Sequence, residues 1–235
     1  KPVLSGYDAF DGSDAARLVV RFAAPPEQTI EWSANGVEGA HRFLRRLWAF
    51  AQAEAGAIAA APPVAADGAG PAAATRREIH VALKQANYDY ERSQYNTVVS
   101  AGMKMLNALE ALDAAAAGRA GVIAEGMSIL LRVLYPVVPH TAWALWRELG
   151  YAARAGDLLD AAWPEPDARA LAQDEIEIVL QVNGKLRGKL VVPSAAGAPA
   201  IEAAARASAE VAKHAAGAPI RKVIVVPGRL VNVVV

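Results

Sequence analysis

The stretch LQVNGKLRGKL, residues 180–190, predicts a β-hairpin. Asn183 and Gly184 favour a turn in which both central residues have positive φ, and apolar residues alternate with polar ones on either side of it. A helix from Pro199 to about Ala215 and strands at 223–226 and 230–235 are predicted to follow. The sequence therefore predicts a small β-β-α-β-β domain over residues 175–235.

Upstream of the hairpin, apolar residues recur every three or four positions, which is the period of amphipathic helices. Helices are predicted from Gly36 onwards, over about 73–90 and 97–114, from Val122 to Pro136, and from Thr141 to about Leu149. These patterns predict an antiparallel bundle of four or five helices within residues 36–168. Residues 169–174 are the predicted linker, and residues 1–35 are predicted to be irregular around one short element.

Composition indicates a globular protein with a basic C-terminal part. Hydrophobic residues make up 54% of the chain, and 24 Lys+Arg balance 24 Asp+Glu. Residues 1–170 hold 16 Lys+Arg and 19 Asp+Glu, whereas residues 171–235 hold 8 Lys+Arg and 5 Asp+Glu. The lack of Cys excludes disulfides and thiolate metal ligands, and four scattered His predict no metal site. A cytoplasmic protein without membrane contact is expected, because no signal peptide or long apolar run is present.

Cationic side chains are the candidate functional residues. Because side chains alternate along a strand, Lys185, Arg187 and Lys189 are predicted to share one face. Such a row fits the phosphates of a nucleic acid, but sheets also protect exposed edges with lysine, and both interpretations stay open. Further candidates are Arg221, Lys222 and Arg229 near the ends of the other strands, and Arg42, Arg45 and Arg46 on the outer face of the first bundle helix, where a solvated surface is the alternative.

Sequence signatures of catalysis are missing. There is no phosphate-binding loop, dinucleotide fingerprint, zinc-protease motif or serine-nucleophile motif, so no catalytic residue is predicted. Trp48, Trp143 and Trp146 are assigned to packing rather than to stacking on bases. These features favour a binding module over an isolated enzyme.

Four segments resemble the C-terminal part of bacterial leucyl-tRNA synthetase, a class I aminoacyl-tRNA synthetase. They are residues 22–48, 134–149, 180–190 and 220–235. A Pro-x-x-Pro-His motif followed by a Trp-bearing helix, Pro136 to Trp146, is shared by several class I synthetases. The VNGKLRGK hairpin and the ending RKVIVVPGRLVN are more specific to the leucine enzyme.

The resemblance implies three parts. Residues 1–35 resemble the tail of a stem-contact region, 36–168 an anticodon-binding-type bundle, and 175–235 a small domain that touches the corner of the tRNA. The implied partner is tRNA(Leu) rather than DNA, and the six cations of the small domain are the positions expected nearest to it, with the arginine trio of the bundle as weaker candidates. The catalytic and editing domains of the same enzyme are further implied partners.

The resemblance also implies which activities this segment lacks. ATP, with Mg, is expected for the full-length enzyme, a leucine–tRNA ligase, and no cofactor is expected here. A HIGH-like motif and a KMSKS loop are missing, so this segment is expected to be an inactive fragment that positions tRNA. The alternatives are a non-catalytic protein-interaction scaffold and a free-standing RNA-binding module.

Overall fold

The chain divides into two compact units, Lys1–Leu171 and Ala172–Val235, called here the helical unit and the sheet unit. A computed structural model describes residues 12–25, 27–29, 34–62, 70–172, 175–194, 196–215 and 217–235. The first ten residues, whose place in the synthetase pattern was left open, lie outside the described residues. Each unit has its own hydrophobic core.

The predicted bundle is confirmed, with additional short helices. The described helices of this unit are α1 Ser13–Ala23, α2 Ala34–Ala60, α3 Pro71–Glu91, α4 Tyr95–Ala111, α5 Arg119–Leu134, α6 Pro139–Glu148, α7 Tyr151–Ala155 and α8 Ala168–Leu171. The predicted short element within residues 1–35 is the three-turn helix α1, which packs against α2 and α4 by burying Ala15, Leu18 and Val19. The assignment of residues 1–35 to a stem-contact region stays a prediction.

Helix α5 lies at the centre of the bundle, where it packs against α2, α3, α4 and α6. Gly126 permits this close approach, because a Cβ atom there would lie 2.7 Å from Leu109 Cδ2 and 2.8 Å from Ile79 Cδ1. Trp146 is buried, and its Nε1 donates to the Gly156 carbonyl at 3.0 Å. Trp48 and Trp143 are partly buried against the same core, so their assignment to packing is confirmed.

A buried aspartate joins the first described helix to α6. The carboxylate of Asp14 accepts hydrogen bonds from the Thr141 backbone N–H at 2.7 Å and from the Thr141 hydroxyl at 2.9 Å. His140 Nδ1 lies 2.9 Å from the other carboxylate oxygen. An acidic side chain at a helix N-terminus satisfies an otherwise unpaired N–H and interacts favourably with the helix dipole. The Pro-His-Thr segment of the synthetase motif therefore has a structural role in this fold.

The sheet unit contains one four-stranded sheet with the order β2-β1-β4-β3. Its strands are β1 Glu175–Val182, β2 Lys185–Pro193, β3 Lys222–Val226 and β4 Leu230–Val234. Strands β1 and β4 pair in parallel at the centre, and each forms an antiparallel pair with an outer strand. The predicted hairpin is confirmed, because β1 and β2 flank Asn183 and Gly184 with φ values of 49° and 74°.

Two short helices cover one face of this sheet, where a single helix was predicted. The helices are α9 Ala198–Ala207 and α10 Ala209–Ala215, and the break falls at Ser208, whose ψ of 131° is extended. Ile201, Ala205 and Val211 of these helices pack against the buried residues of the sheet. The predicted fold class, a helical bundle followed by a small α/β domain, is confirmed.

The described ranges contain neither a membrane-spanning helix nor a cluster of metal ligands. No helix there combines the length and the apolar character that crossing a bilayer would need. Those ranges also contain no group of three or more His, Asp or Glu side chains arranged to hold a metal ion.

Candidate nucleic-acid interface

A β-bulge in strand β2 changes the predicted arrangement of the hairpin cations. Leu180 pairs with Gly188, but Gln181 pairs with Leu186, so Arg187 is an extra residue between the two pairs. An extra residue reverses the inward and outward alternation on one side of a bulge. The prediction that Lys185, Arg187 and Lys189 share one face is therefore wrong.

The pairing partners show how the two lysines differ. Lys185 pairs with Val182, which is buried under the helices. The Lys185 side chain therefore leaves the backbone on the helix-covered face of the sheet. Lys189 lies on the opposite, open face, where its Nζ donates to Glu177 Oε2 at 2.6 Å. Both lysines and Arg187 are nevertheless exposed, because they lie on an outer strand.

The remaining sheet cations lie at two ends of the same sheet. Lys222 pairs with Val234 at the end that also carries the hairpin turn, and Arg221 precedes it. Lys185 is at this end as well, across the sheet on the other outer strand, about 14 Å away at the usual strand spacing. Arg229 lies at the opposite end, in the turn before β4. The six cations therefore surround the sheet rather than forming one continuous row.

The open face of the sheet is largely apolar between these cations. Leu186 is 68% exposed, Val191 54% and Ile224 41%. Two asparagines keep the hairpin turn in place beside this face. Asn232 Oδ1 accepts from the Gly184 N–H at 3.0 Å, and Asn183 Oδ1 accepts from the Val235 N–H at 3.1 Å. Cations at the turn end are therefore held on a fixed backbone.

The arginine trio of α2 lines a shallow groove in the helical unit. Arg42, Arg45 and Arg46 are exposed, and with His41 and Glu38 they border a space of about 410 Å³. Arg46 is engaged by α4, since it donates to Asn107 Oδ1 at 2.7 Å and forms an ion pair with Glu110. The structure thus brings the three arginines together on one helix face, as the sequence predicted.

A buried ionic network in the helical unit had no signal in the sequence. Arg76 donates to both carboxylate oxygens of Glu125, at 2.6 and 2.8 Å, and to Asp167 Oδ2 at 2.8 Å. The Asp167 N–H in turn donates to His80 Nδ1 at 3.0 Å. Burial raises the pKa of Glu125, but His80 Nε2, which lies 3.3 Å from Oε1, and the Arg76 guanidinium outweigh burial and lower this pKa to about 2.

This network borders a cavity of about 560 Å³, which is also lined by Trp146 and Tyr151. A triphosphate needs several cations that are not already neutralised. Of the three arginines that line the cavity, Arg76 and Arg169 are paired with carboxylates, which leaves Arg154, whose Nη2 donates to the Ala59 carbonyl at 2.9 Å. The cavity therefore does not fit ATP, and the network is structural.

Helix α3 and its C-cap residue carry a further cationic face, on which Arg77 is half-buried and the other members are exposed. Arg77, Val81, Lys84, Tyr88 and Arg92 follow one another at spacings of four, three, four and four. Their signal was available, because this pattern lies opposite the apolar positions of the same helix.

Comparisons with known proteins agree with the fold and the sequence resemblance. A family model described as the anticodon-binding domain of tRNA ligase matches residues 74–202. A leucine–tRNA ligase of Leptothrix cholodnii is 64% identical over 225 residues, which are 95% of this chain and 25% of that relative. The Cupriavidus metallidurans leucine–tRNA ligase is 65% identical over 229 residues, with the same coverage.

Among solved structures, the fold matches a LeuRS of Agrobacterium radiobacter K84 in a ternary complex with tRNA and LeuAMS. The TM-score is 0.81 at 23% identity, over 98% of this chain and 29% of the other. The chain spans about a quarter of the length of the curated relatives it matches. The resemblance to the C-terminal part of bacterial leucyl-tRNA synthetase is confirmed. Because the family model covers more than half of its residues, the chain belongs to the anticodon-binding-domain family of tRNA ligases.

Proposed function

We propose that this chain binds and positions tRNA(Leu) as part of a leucine–tRNA ligase. The observation that carries the proposal is the set of exposed cations around the sheet unit. Of the six candidates there, Lys189 has an acidic partner, and the other five form no ion pair with a described residue. Unneutralised cations on a rigid sheet attract a polyanion and repel one another in its absence.

Positioning is the contribution that these residues can make to the reaction. Cations that contact phosphate and sugar fix the register of an RNA without reading its sequence. Holding the acceptor end of a tRNA close to a reacting group replaces a random encounter with an intramolecular step, which can lower a barrier by several kcal/mol. No bond-making step is assigned to a side chain of this segment.

The other domains of a whole ligase would supply the catalytic activity. The catalytic and editing domains, ATP and Mg²⁺ belong to that proposal, as does attachment of leucine to tRNA in the cytoplasm. Relatives that carry the leucine–tRNA ligase name support it, because they align with nearly all of this chain. The arginine trio of α2 is proposed as a weaker contact, since Arg46 is already paired with Glu110.

The test measures binding of the chain to leucine tRNA and to an unrelated tRNA, for the wild type and for a variant with Lys185→Glu, Arg187→Glu and Lys189→Glu. We expect saturable binding at low salt that the variant loses for both RNAs. A folded wild type that binds neither tRNA would contradict the proposal and favour a protein-interaction scaffold. Binding that survives the triple substitution would remove the hairpin from the interface.

A further inference from the structure

We propose that the outer face of α3 is a second RNA-binding surface, which holds an unpaired nucleotide against Tyr88. The surface, called here the Tyr88 stripe, consists of Arg77, Val81, Lys84, Tyr88 and Arg92. This inference rests on the proposed tRNA-binding function, and it adds a surface, a residue and a type of nucleotide to it.

The geometry of α3 places these five residues side by side. Successive residues turn by 100°, so the stripe occupies a sector about 80° wide and about 22 Å long. The opposite side of the helix is the packed one, where Ile79, Leu83 and Ala86 are at most 1% exposed. The stripe therefore faces away from the core of the helical unit.

Two cations of the stripe, Lys84 and Arg92, are exposed, whereas Arg77 is half-buried and its Nε is buried without a hydrogen-bond partner. Within the part of the chain that the structure describes, Arg77, Lys84 and Arg92 form no ion pair with an acidic side chain. Glu91 is the acidic residue closest to the stripe in angle, at its C-terminal end. The stripe thus carries three positive charges at intervals of about 10 to 12 Å along the helix.

Tyr88 gives the stripe a feature that a merely solvated helix face lacks. Its side chain is 53% exposed, and the Arg92 guanidinium lies over one face of its ring, 5.3 Å from the centre, which leaves the other face for a base. Val81, about two turns before Tyr88, is 45% exposed. An exposed ring beside a cation is the arrangement on which unpaired bases stack while the cation meets the adjoining phosphate.

Charge complementarity favours RNA over a protein as the occupant. A protein partner would have to present acidic side chains at three separate positions, whereas every nucleotide of an RNA carries a phosphate. Bases within a duplex are already stacked, so Tyr88 selects for a nucleotide in a loop or a bulge. A second exposed aromatic residue lies close by, because Trp163 Nε1 donates to Asn87 Oδ1 at 2.9 Å and Trp163 is 41% exposed.

The experiment measures the affinity of the full chain for leucine tRNA across a salt series. The variants are Tyr88→Ala, Tyr88→Phe and a charge-removal triple of Arg77→Gln, Lys84→Gln and Arg92→Gln. The matched control removes the same charge from exposed helix positions outside the stripe, by Lys104→Gln, Arg169→Gln and Arg206→Gln. A double-stranded RNA of similar length serves as a second ligand, and circular dichroism checks that every variant is folded.

We expect Tyr88→Ala to weaken tRNA binding at least about fivefold and Tyr88→Phe to stay close to the wild type. The effect of Tyr88→Ala should vanish with the double-stranded RNA. The triple substitution in the stripe should make the slope of log affinity against log salt concentration shallower by about 2 to 3. The control triple should leave this slope nearly unchanged.

Other outcomes would overturn the inference. If the wild type binds tRNA and the stripe variants behave like the control, the stripe is not an RNA surface, and the proposed function stands without it. An equal loss for Tyr88→Ala and Tyr88→Phe would indicate a hydroxyl contact and contradict stacking. A wild type that binds no tRNA would overturn both proposals.

Discussion

Arg76 and Glu125 form a bidentate ion pair that joins α3 to α5 in the helical unit. Arg76 Nε lies 2.6 Å from Glu125 Oε2, and Arg76 Nη2 lies 2.8 Å from Glu125 Oε1. The Arg76 side chain is 9% exposed, and the same Nη2 also bonds Asp167, five residues before the sheet unit begins. The ion pair therefore fixes both the bundle and the point from which the chain leaves it.

Removing the arginine should destabilise the helical unit. Arg76→Met leaves two carboxylates without their cation, and we expect the free energy of unfolding to fall by about 3 kcal/mol. All five tryptophans precede residue 172, so tryptophan fluorescence during urea unfolding reports on this unit alone. Arg169→Gln is the control, because Arg169 meets the same Asp167 but is 67% exposed, and it should cost less than about 1 kcal/mol. Equal losses for both variants would contradict the account.

The same network should make stability depend on pH. Burial raises the pKa of Glu125, but the nearby His80 ring and the Arg76 guanidinium outweigh burial and lower this pKa to about 2. The hydrogen bond from Arg76 also lowers the pKa of Asp167. Carboxyl groups with a lowered folded pKa stabilise the protein above their unfolded pKa of about 4, and this contribution is lost as pH falls through the folded value.

Urea unfolding at a series of pH values checks this dependence. We expect the helical unit to lose on the order of 2 kcal/mol through Glu125 between about pH 5 and pH 2, after allowance for solvent screening. Glu125→Gln should lower stability near neutral pH and flatten the profile below about pH 5. A profile that Glu125→Gln leaves equally steep would assign the acid sensitivity to other groups.

Gly126 should be intolerant of a methyl group. Gly126→Ala places a Cβ less than 3 Å from Leu109 and Ile79, and we expect a loss of about 1 to 2 kcal/mol from overpacking despite the better helix propensity of Ala. Gly56 in α2 is the matched control, since a Cβ there meets nothing within 4 Å. Gly56→Ala should raise stability by up to about 1 kcal/mol. If both substitutions changed the free energy of unfolding in the same direction, the packing argument would be refuted.

Glu177 should weaken RNA binding by holding Lys189. Glu177→Gln releases the Lys189 ammonium and removes a carboxylate from the open face of the sheet. We expect leucine tRNA to bind up to about fivefold more tightly at low salt, because an exposed ion pair contributes about 0.2 to 1 kcal/mol. Glu202→Gln, which releases Arg206 on α9 instead, is the control and should change affinity less. Unchanged affinity for Glu177→Gln would exclude Lys189 from the interface.

Local features of the fold follow from the sequence, and long-range ones do not. The Asn183-Gly184 turn depends on two adjacent residues with positive φ, so the hairpin was predictable. The bulge at Arg187 was not, because counting alternate residues assumes a regular register. The break at Ser208 likewise depends on how α9 and α10 pack on the sheet rather than on helix propensity.

The candidate site shows the same division. The cations of β2 and of α2 were found from spacing, yet the faces to which they belong depend on the sheet register and on α4. The partners of Arg76 are 49 and 91 positions away along the chain, a separation at which no sequence periodicity exists. The Tyr88 stripe had a local signal, and its exposure is what the structure adds.

The most direct test of tRNA binding is the dependence of its dissociation constant on salt. With about four to six phosphate contacts, the logarithm of the affinity of the wild-type chain for leucine tRNA should fall with the logarithm of the salt concentration with a slope of about −3 to −5. A slope in this range that becomes shallower by about 2 to 3 when Lys185, Arg187 and Lys189 are replaced by Gln would support the account. A slope near zero, or no binding at low salt by a folded chain, would contradict it.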